Sequence, residues 1–253
     1  HRIFSSTKLL NRHQMTRDML IVAAGMGSRL QDVGVSKPLV PLLGVPLIER
    51  VIATASEAGI ARFVVVTGHL REKLEAYLTI VAERYGVEIE AVYNSDYRMP
   101  NGHSVMAAKG HLPNHFLLAM CDHMMDAEMV AEMASLEIAD GTVVLGVDRR
   151  LDNPHVDLQD VTRVKTNGDH IDRIGKLIDD YDAFDTGIFH CTPGFFDALQ
   201  IAFDKGHDNI SGGMMELVAR DMAWTHTIGD YTWIDVDDTH MFDLAAKVLS
   251  TDA

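Results

Sequence analysis

The stretch LIVAAGMGSRL, from Leu20 to Leu30, joins an apolar run to a glycine-rich loop, and the tripeptide KPL follows at residues 37–39. A short continuous apolar run that ends at glycine predicts a buried strand over Met19–Ala24. Backbone amides of a glycine loop after a strand form a nest for anions, because glycine lets the chain approach a phosphate closely. The stretch therefore predicts a phosphate-binding loop at the end of the first strand.

Two familiar phosphate loops do not match this stretch. The dinucleotide pattern GxGxxG fails because Gly25 and Gly27 are not followed by a third glycine, and the pattern GxxxxGK[ST] is absent from the chain. Instead, Arg29 and Lys37 follow the glycines, and Pro38 stiffens the backbone beside the lysine. Two cations beside an anion nest suit a polyphosphate whose leaving group gains charge as it departs.

The rest of the chain predicts an α/β fold. Strand-like and helix-like segments alternate through the first half, which is typical of a parallel, doubly wound sheet. The second half contains further strands and a hairpin around Asn167-Gly168. We expect one Rossmann-like domain over residues 19–253, with a mixed, mostly parallel central sheet flanked by helices. Residues 1–18 are basic and are expected to be an N-terminal arm or an upstream extension.

The composition excludes several classes of protein. The 253 residues include 22 Lys plus Arg against 37 Asp plus Glu, and the net charge of −15 argues against a nucleic-acid binder. Cys121 and Cys191 are far apart, which predicts neither a disulfide framework nor a zinc site and favours a cytoplasmic location. No apolar run reaches the roughly 20 residues that cross a bilayer, so no membrane segment is expected.

Acidic residues follow two predicted strands. Asp122 follows the apolar run HFLLAM and Cys121, at the edge where open α/β sheets bind ligands. Asp235 and Asp237 in WIDVDD are two residues apart, so in an extended chain both point to the same face. Mg²⁺ prefers a few carboxylates together with phosphate oxygens. One carboxylate from each half of the chain could therefore hold Mg²⁺ over a triphosphate, and solvated loop acids are the alternative, whereas Asp238 is expected to be the N-cap of the last helix.

The motif AAGMGSRL followed by KPL resembles the signature of the nucleotidyltransferases that join a nucleoside triphosphate to a sugar phosphate or another phosphomonoester. Three further stretches follow in the order and spacing of the CTP:inositol-1-phosphate cytidylyltransferases. They are NGHSVMAAKGHLPNHFLLAMCDHM at 101–124, IDRIGKLIDDYDAFDTGIF at 171–189 and WIDVDDT at 233–239. The resemblance covers about residues 19–249, and the general signature is more specific than the assignment to the inositol subgroup.

This resemblance implies a role for each matching residue. Arg29 and Lys37 would stabilise the departing pyrophosphate, and Lys176 would bind the phosphomonoester. The nucleotide would contact Ala23, Ala24, Gly25, Met26, Gly27, Ser28, Asn101, Gly102, Ser104 and Asp122. The acceptor would contact Asp185, Thr186 and Gly187 beside Lys176, with Asp185 in place of the usual asparagine. Asp122 would ligate Mg²⁺ together with Asp235, Asp237 or both, and His123 is a possible contact.

The expected reaction transfers CMP from CTP to inositol 1-phosphate and releases pyrophosphate. The acceptor's phosphate oxygen would attack the α-phosphorus, so no protein nucleophile is needed and catalysis is positioning plus charge neutralisation. A sugar 1-phosphate or phosphocholine is an alternative acceptor. A glycosyltransferase that uses Asp235-Val-Asp237 as a metal motif and a non-catalytic nucleotide-binding regulator are alternatives of other classes. The oligomeric state stays open.

Overall fold

The apolar run at the start of the chain forms strand β1 (Asp18–Val22), and the glycine loop follows it as the sequence predicts. The structure is a computed structural model that describes residues 15–30 and 36–251. The other strands are β2 (Pro41–Leu42), β3 (Val45–Pro46), β4 (Arg62–Thr67), β5 (Glu88–Tyr93), β6 (Phe116–Met120), β7 (His123–Met125), β8 (Val143–Asp148), β9 (Arg163–Asn167), β10 (His170–Gly175), β11 (Ala183–Cys191), β12 (Ala223–Thr227) and β13 (Trp233–Asp235). The α-helices are α1 (Leu47–Glu57), α2 (Arg71–Tyr85), α3 (Asn101–Ala107), α4 (Ala127–Ala134), α5 (Gly194–Asp204), α6 (Ile210–Val218) and α7 (Thr239–Thr251).

Within these described residues, nine strands form one sheet in the order β5-β4-β1-β6-β11-β8-β12-β10-β9. The first four strands in this order are parallel to one another, and β8 and β12 form a further parallel pair. The remaining pairs in this order are antiparallel. The predicted mixed sheet is thus confirmed, but four of its eight neighbouring pairs are antiparallel, so the prediction of a mostly parallel sheet is not confirmed. Three of the four parallel pairs lie in the first half of the chain.

Helices cover both faces of the sheet. Side chains alternate between the faces along β1: Met19 and Ile21 pack with helices α1, α2, α4 and α7, whereas Leu20 and Val22 pack with α3, α5 and α6. Both faces of the central strands are therefore buried, which explains why β1 and β4 are continuous apolar runs. No helix in the described ranges is long and apolar enough to cross a membrane.

Several local signals in the sequence form the structures that they predict. Gly86 ends helix α2 with a φ of 64°, a left-handed conformation that glycine adopts without steric cost. Asp238 caps α7, because its carboxylate accepts a hydrogen bond from the Met241 backbone N–H at 2.8 Å. Asn167 and Gly168 lie at the turn between the antiparallel strands β9 and β10. In the segment after Asp122, Met129 and Met133 are buried and fill the core.

Two short strands outside the large sheet bring distant segments together. Strand β7, which begins directly after Asp122, pairs antiparallel with β13, and Asp235 lies opposite His123 in this pair. The segment 223–235 therefore contributes to two different sheets, since β12 pairs with β8 in the large sheet. We call the β7–β13 pair the ribbon. It places the acids of WIDVDD beside the end of β6.

The contacts of the fold begin before the expected boundary at residue 19. The backbone N–H of Thr16 donates to the carbonyl of Ala134, and the carbonyl of Arg17 accepts hydrogen bonds from Ala61 and Arg62. Part of the segment expected to be an arm is thus attached to the domain. Residues 1–14 lie outside the described residues.

His190 is a buried titratable group far from the glycine loop. Its Nδ1 donates to the Met133 carbonyl at 2.9 Å, and its Nε2 lies 2.9 Å from the Thr16 hydroxyl. A neutral ring with its proton on Nδ1 satisfies both contacts, with Thr16 as the donor to Nε2. Burial lowers the pKa of His190 from 6.5 to about 4.

We expect the stability of the fold to fall on acidification because of His190. The lowered pKa means that the unfolded chain binds a proton that the folded chain excludes, so stability is lost as pH falls from 6.5 towards 4. The loss amounts to about 2 kcal/mol at pH 5. Urea unfolding at pH 7.5 and 5 should show a smaller pH effect for His190→Gln than for the unchanged protein. The exposed-site control His240→Gln should behave like the unchanged protein; an equal pH effect in all three would contradict the assignment.

Candidate active site

The carboxyl ends of β1 and β6 open into two adjoining cavities. One, of about 360 Å³, is lined by the glycine loop and Lys37; the other, of about 290 Å³, is lined by the ribbon, β11 and the loop before β9. Arg29, Asn101, Asp122 and Asp237 line both cavities. This is the edge at which an open α/β sheet binds ligands. We refer to the two as the loop cavity and the β11 cavity.

The glycine loop packs directly on Lys37. Gly27 has a φ of 61°, and a Cβ at this position would collide with the Lys37 side chain. Glycine is therefore required here both for the left-handed backbone and for the close approach of the lysine. Gly25 has open space around it, so its backbone is accessible to a ligand.

The Lys37 ammonium lies between two of the predicted metal ligands. Its Nζ forms ion pairs with Asp122 Oδ2 and Asp237 Oδ1. Burial lowers the pKa of Lys37, but the charges of Asp122 and Asp237 outweigh burial and raise the pKa above its usual value. Burial likewise opposes ionisation of Asp122, yet Lys37 and His123 hold the pKa of this carboxyl well below its usual range. Both groups are charged at neutral pH.

The ion pairs continue from Asp237 to the acceptor side. Asp237 Oδ2 lies 2.7 Å from Arg29 Nη2, and Arg29 Nη1 lies 3.0 Å from Asp160 Oδ2. Asp160 Oδ1 in turn lies 2.7 Å from Lys176 Nζ. The three predicted phosphate-binding cations, Lys37, Arg29 and Lys176, are thus joined through carboxylates into one series of alternating charge.

The ribbon and β11 position His123. Its Nδ1 lies 3.0 Å from Asp122 Oδ1 and 3.8 Å from Asp235 Oδ1. Burial lowers the pKa of His123, but the carboxylates of Asp235 and Asp122 raise it to about 9. The ring packs against Gly187, whose φ is 79° and where a Cβ would collide with the imidazole. A glycine in β11 therefore makes room for the histidine.

Asp235 has the features of a cation ligand. Its Oδ1 is buried and has no hydrogen-bond partner among the described residues. Burial raises the pKa of Asp235 to about 7, and the nearby charges of Asp122 and Asp237 act in the same direction. The charge of His123 acts in the opposite direction but does not cancel them. Ligand atoms of Asp122, His123 and Asp235 lie within 4.8 Å of one another, and so do those of Asp160, Asp235 and Asp237. The donor set fits a divalent cation that prefers oxygen.

Only some of the residues predicted to contact the acceptor substrate line the β11 cavity. Asp185 and Gly187 line it together with Lys176. The Asp185 carboxylate accepts a hydrogen bond from the Gly187 N–H at 2.7 Å, and burial raises the pKa of Asp185 to about 6. Thr186 is fully buried, and its hydroxyl donates to the Gly146 carbonyl at 2.8 Å. Alternation along the strand thus turns the Thr186 side chain into the core, away from the Asp185 carboxylate.

The predicted nucleotide contacts at the start of α3 also differ in where their side chains lie. Asn101 lines both cavities, and its side-chain oxygen accepts a hydrogen bond from the Ile210 N–H at 3.0 Å. Ser104 is buried, and its hydroxyl oxygen accepts a hydrogen bond from the Asn94 amide at 3.0 Å. A Cβ on Gly102 would collide with the Asp208 carbonyl. The first turn of α3 thus presents Asn101 to the site, while Gly102 and Ser104 pack the helix against its neighbours.

The remaining loop positions divide in the same way. Ala23 lines the loop cavity, and Met26 is exposed beside it. Ala24 is buried, and its carbonyl accepts a hydrogen bond from the His69 N–H at 3.0 Å. The side chain of Ser28 lies outside the described residues.

Sequence reasoning missed two acids that the structure places at or near the site. Asp160 lies in the loop between β8 and β9, where no motif marks it. Asp148, at the end of β8, is buried and accepts hydrogen bonds from the Trp233 indole at 2.8 Å, from Asn153 at 2.8 Å and from Arg150. A buried acid in the apolar run VVLGVD is the signal that could have identified Asp148 as a structural anchor for β13.

Comparison with known proteins agrees with this geometry. Residues 19–164 match the family described as MobA-like NTP transferase domain. The chain is 33% identical over 241 residues to the bifunctional IPC transferase and DIPP synthase of Rubrobacter xylanophilus, covering 90% of this chain and 51% of that protein. The protein of the same name from Aquifex aeolicus is 30% identical, with coverage of 93% and 52%. The chain thus spans about half the length of these relatives.

Solved structures share the fold. The inositol-1-phosphate CTP transferase from T. maritima superposes with a TM-score of 0.83 at 24% identity, covering 94% of this chain and 96% of that one. A UDP-glucose pyrophosphorylase bound to UDP-glucose superposes with a TM-score of 0.74 at 17% identity, with coverage of 94% and 100%. The family match, together with the glycine loop on Lys37 and the acids at the ends of β6 and β13, shows that the chain belongs to the MobA-like NTP transferase domain family.

Proposed function

We propose that the chain transfers a nucleoside monophosphate from a nucleoside triphosphate to a small phosphomonoester and releases pyrophosphate. One observation carries the proposal: the two adjoining cavities hold Lys37 and Arg29 on the glycine-loop side and Lys176 on the β11 side. Cations on both sides suit two phosphorylated substrates that must meet between them. The acceptor is an anion already, so the reaction needs no nucleophile from the protein.

Each group then has a defined task. The amides of Gly25 and Gly27 bind the triphosphate, and Arg29 and Lys37 bind the oxygens that gain charge as pyrophosphate leaves. Lys176 holds the acceptor phosphate so that its oxygen faces the α-phosphorus in line. Asp185 accepts hydrogen bonds from acceptor hydroxyl groups.

The acids fit Mg²⁺, with Asp122 and Asp235 as the proposed ligands. Mg²⁺ bound there would neutralise charge on the triphosphate oxygens. Asp235 is favoured over Asp237 because its Oδ1 has no hydrogen-bond partner among the described residues and lies 3.8 Å from His123 Nδ1, whereas both oxygens of Asp237 are in closer ion pairs with Lys37 and Arg29. The same ion pairs argue against a glycosyltransferase that would use Asp235 and Asp237 as a metal-binding pair.

CTP as donor and inositol 1-phosphate as acceptor are supported by similarity. The relatives from R. xylanophilus and A. aeolicus are named IPC transferases, and the T. maritima fold neighbour is an inositol-1-phosphate CTP transferase. The stretches 101–124 and 171–189 resemble those of cytidylyltransferases specific for inositol 1-phosphate. A sugar 1-phosphate or phosphocholine remains the alternative acceptor, since an acid such as Asp185 suits hydroxyl groups and a choline cation as well.

We expect CTP with inositol 1-phosphate to give the highest kcat/KM in a panel of four triphosphates against inositol 1-phosphate, hexose 1-phosphates and phosphocholine. Release of pyrophosphate is the measurement, because it is common to every pair. A tenfold or greater advantage of UTP or dTTP with a hexose 1-phosphate would overturn the choice of substrates. The absence of pyrophosphate release with every pair would overturn the transfer reaction itself.

Removing a proposed metal ligand should change the response to Mg²⁺. We expect Asp122→Ala to abolish turnover without unfolding the protein, as judged by circular dichroism. Asp235→Asn should raise the Mg²⁺ concentration needed for half-maximal rate by roughly tenfold or more. Asp238→Asn, one residue beyond the ion pairs and able to cap α7, is the matched control and should leave the Mg²⁺ response unchanged. An unaltered Mg²⁺ response in Asp235→Asn would show that this carboxylate is not a ligand.

The cations should separate into two kinetic classes. Arg29→Ala and Lys37→Ala should lower kcat by ~10²–10³-fold, because their partner charge grows only as pyrophosphate leaves. Lys176→Ala should chiefly raise the KM of the acceptor, because its partner is present before the reaction. Steady-state kinetics with each substrate varied in turn make the distinction. A Lys176→Ala enzyme with an unchanged acceptor KM and a raised triphosphate KM would place this lysine on the donor side.

A further inference from the structure

Asp160 occupies the place where the donor side and the acceptor side of the site meet. Its Oδ2 lies 3.0 Å from Arg29 Nη1, and its Oδ1 lies 2.7 Å from Lys176 Nζ. The two cations come from opposite halves of the chain, and the carboxylate joins them. The proposed reaction gives Asp160 no contact with either substrate, although it lines the β11 cavity with both of them.

The ion pairs of Asp160 with Arg29 and Lys176 are those that a phosphate would make. Phosphate and carboxylate oxygens accept hydrogen bonds from the same guanidinium and ammonium donors at 2.7–3.0 Å. Two anions cannot share these donors at close range without repulsion. A phosphate that binds between Arg29 and Lys176 must therefore displace Asp160.

Such displacement is feasible because the ion pairs are partly solvated. The side chains of Arg29 and Lys176 are 53% and 52% exposed, and that of Asp160 is 26% exposed. Ion pairs at this exposure are weak and screened by salt. By contrast, the Lys37 pairs are largely buried, with the lysine 11% exposed. Within this series, the ion pairs of Asp160 are therefore the easiest to break.

We propose that Asp160 is an internal counter-anion that competes with substrate phosphate for Arg29 and Lys176 and thereby sets the phosphate affinity of the site. The proposal rests on the proposed function for the assignment of these two cations to phosphate groups. The competition makes Asp160 a specificity-determining residue. It selects the doubly charged phosphomonoester over singly charged anions, because the stronger ion pairing of the dianion offsets the loss of the Asp160 contacts.

A positioning role for Asp160 makes the opposite prediction. If the carboxylate served to hold Lys176 in place for phosphate, its neutral replacement would weaken phosphate binding. Competition instead requires that the neutral replacement strengthen it. The sign of one binding change therefore separates the two roles.

The test is calorimetric titration of inorganic phosphate into metal-free enzyme at low ionic strength. Asp160→Asn keeps the shape of the side chain and removes its charge, and its phosphate Kd should fall about three- to tenfold. The tightening should shrink in 0.5 M salt, since the competing pair is screened. Asp160→Ser, which removes the reach of the side chain, should tighten binding as well and provides a second variant should the first not fold.

A matched control exists in the same chain. Asp180 lies between Lys165, at 2.7 Å, and Arg173, at 3.3 Å, outside both cavities. Asp180→Asn removes one negative charge from a similar group of one carboxylate and two cations. Because this group lies outside both cavities, the substitution should leave the phosphate Kd unchanged. An unchanged or higher Kd in Asp160→Asn would overturn the proposal, and so would an equal tightening in Asp180→Asn, which would reflect net charge alone.

The result of the phosphate titration does not depend on whether the enzyme turns over. Tighter phosphate binding by Asp160→Asn in an enzyme that releases no pyrophosphate from any substrate pair would refute the proposed function and leave the role of Asp160 standing. Normal turnover with an unchanged phosphate Kd in Asp160→Asn would refute the role of Asp160 and leave the proposed function standing.

Discussion

The ion pairs of Lys37 with Asp122 and Asp237 connect the parts of this site. An ammonium that is nearly buried is costly unless its charge is compensated, and here two carboxylates from different segments compensate it. Asp122 comes from the end of β6, Asp237 from the segment after β13, and Lys37 lies against Gly27 of the first loop. One side chain thus fixes the relative position of three segments that are distant in sequence. A change at Gly27 would disturb all of them through Lys37.

The charge around this centre explains how an acidic chain can accommodate polyphosphate. Among the described residues that line the two cavities, six carboxylates face three Lys and Arg side chains and the protonated His123. The carboxylates are Asp122, Asp157, Asp160, Asp185, Asp235 and Asp237. A triphosphate alone would be repelled by this excess of negative charge, whereas a triphosphate that arrives with a divalent cation would not. The acidity of the site is therefore consistent with the requirement for Mg²⁺ that we propose.

The sequence was sufficient for features that depend on local patterns. The strand before the glycine loop, the turn at Asn167-Gly168 and the Asp238 cap follow from a few adjacent residues, and the structure confirms them. Features that depend on long-range pairing could not be predicted. The bulge of β11 lies between Asp185 and Phe189, and only the folded strand shows that Thr186 turns into the core while Gly187 meets His123. Asp160 lacks any local signal because its partners, Arg29 and Lys176, are brought to it by the fold.

The acids that we assign to the metal would repel one another without an independent scaffold. The β7–β13 ribbon supplies that scaffold, and it is held at both ends. At one end, Asp126 accepts a hydrogen bond from the Thr232 N–H at 2.7 Å, and the buried Asp148 accepts one from the Trp233 indole. At the other end, the Val236 N–H donates to the carbonyl of Asp122 at 3.0 Å. Because neither anchor uses the carboxylates of Asp235 or Asp237, a change of partner at these carboxylates would leave the anchors of the ribbon intact. A site that must release its own ion pairs to admit phosphate and metal requires this separation of scaffold from ligand, since otherwise binding would loosen the geometry on which transfer depends.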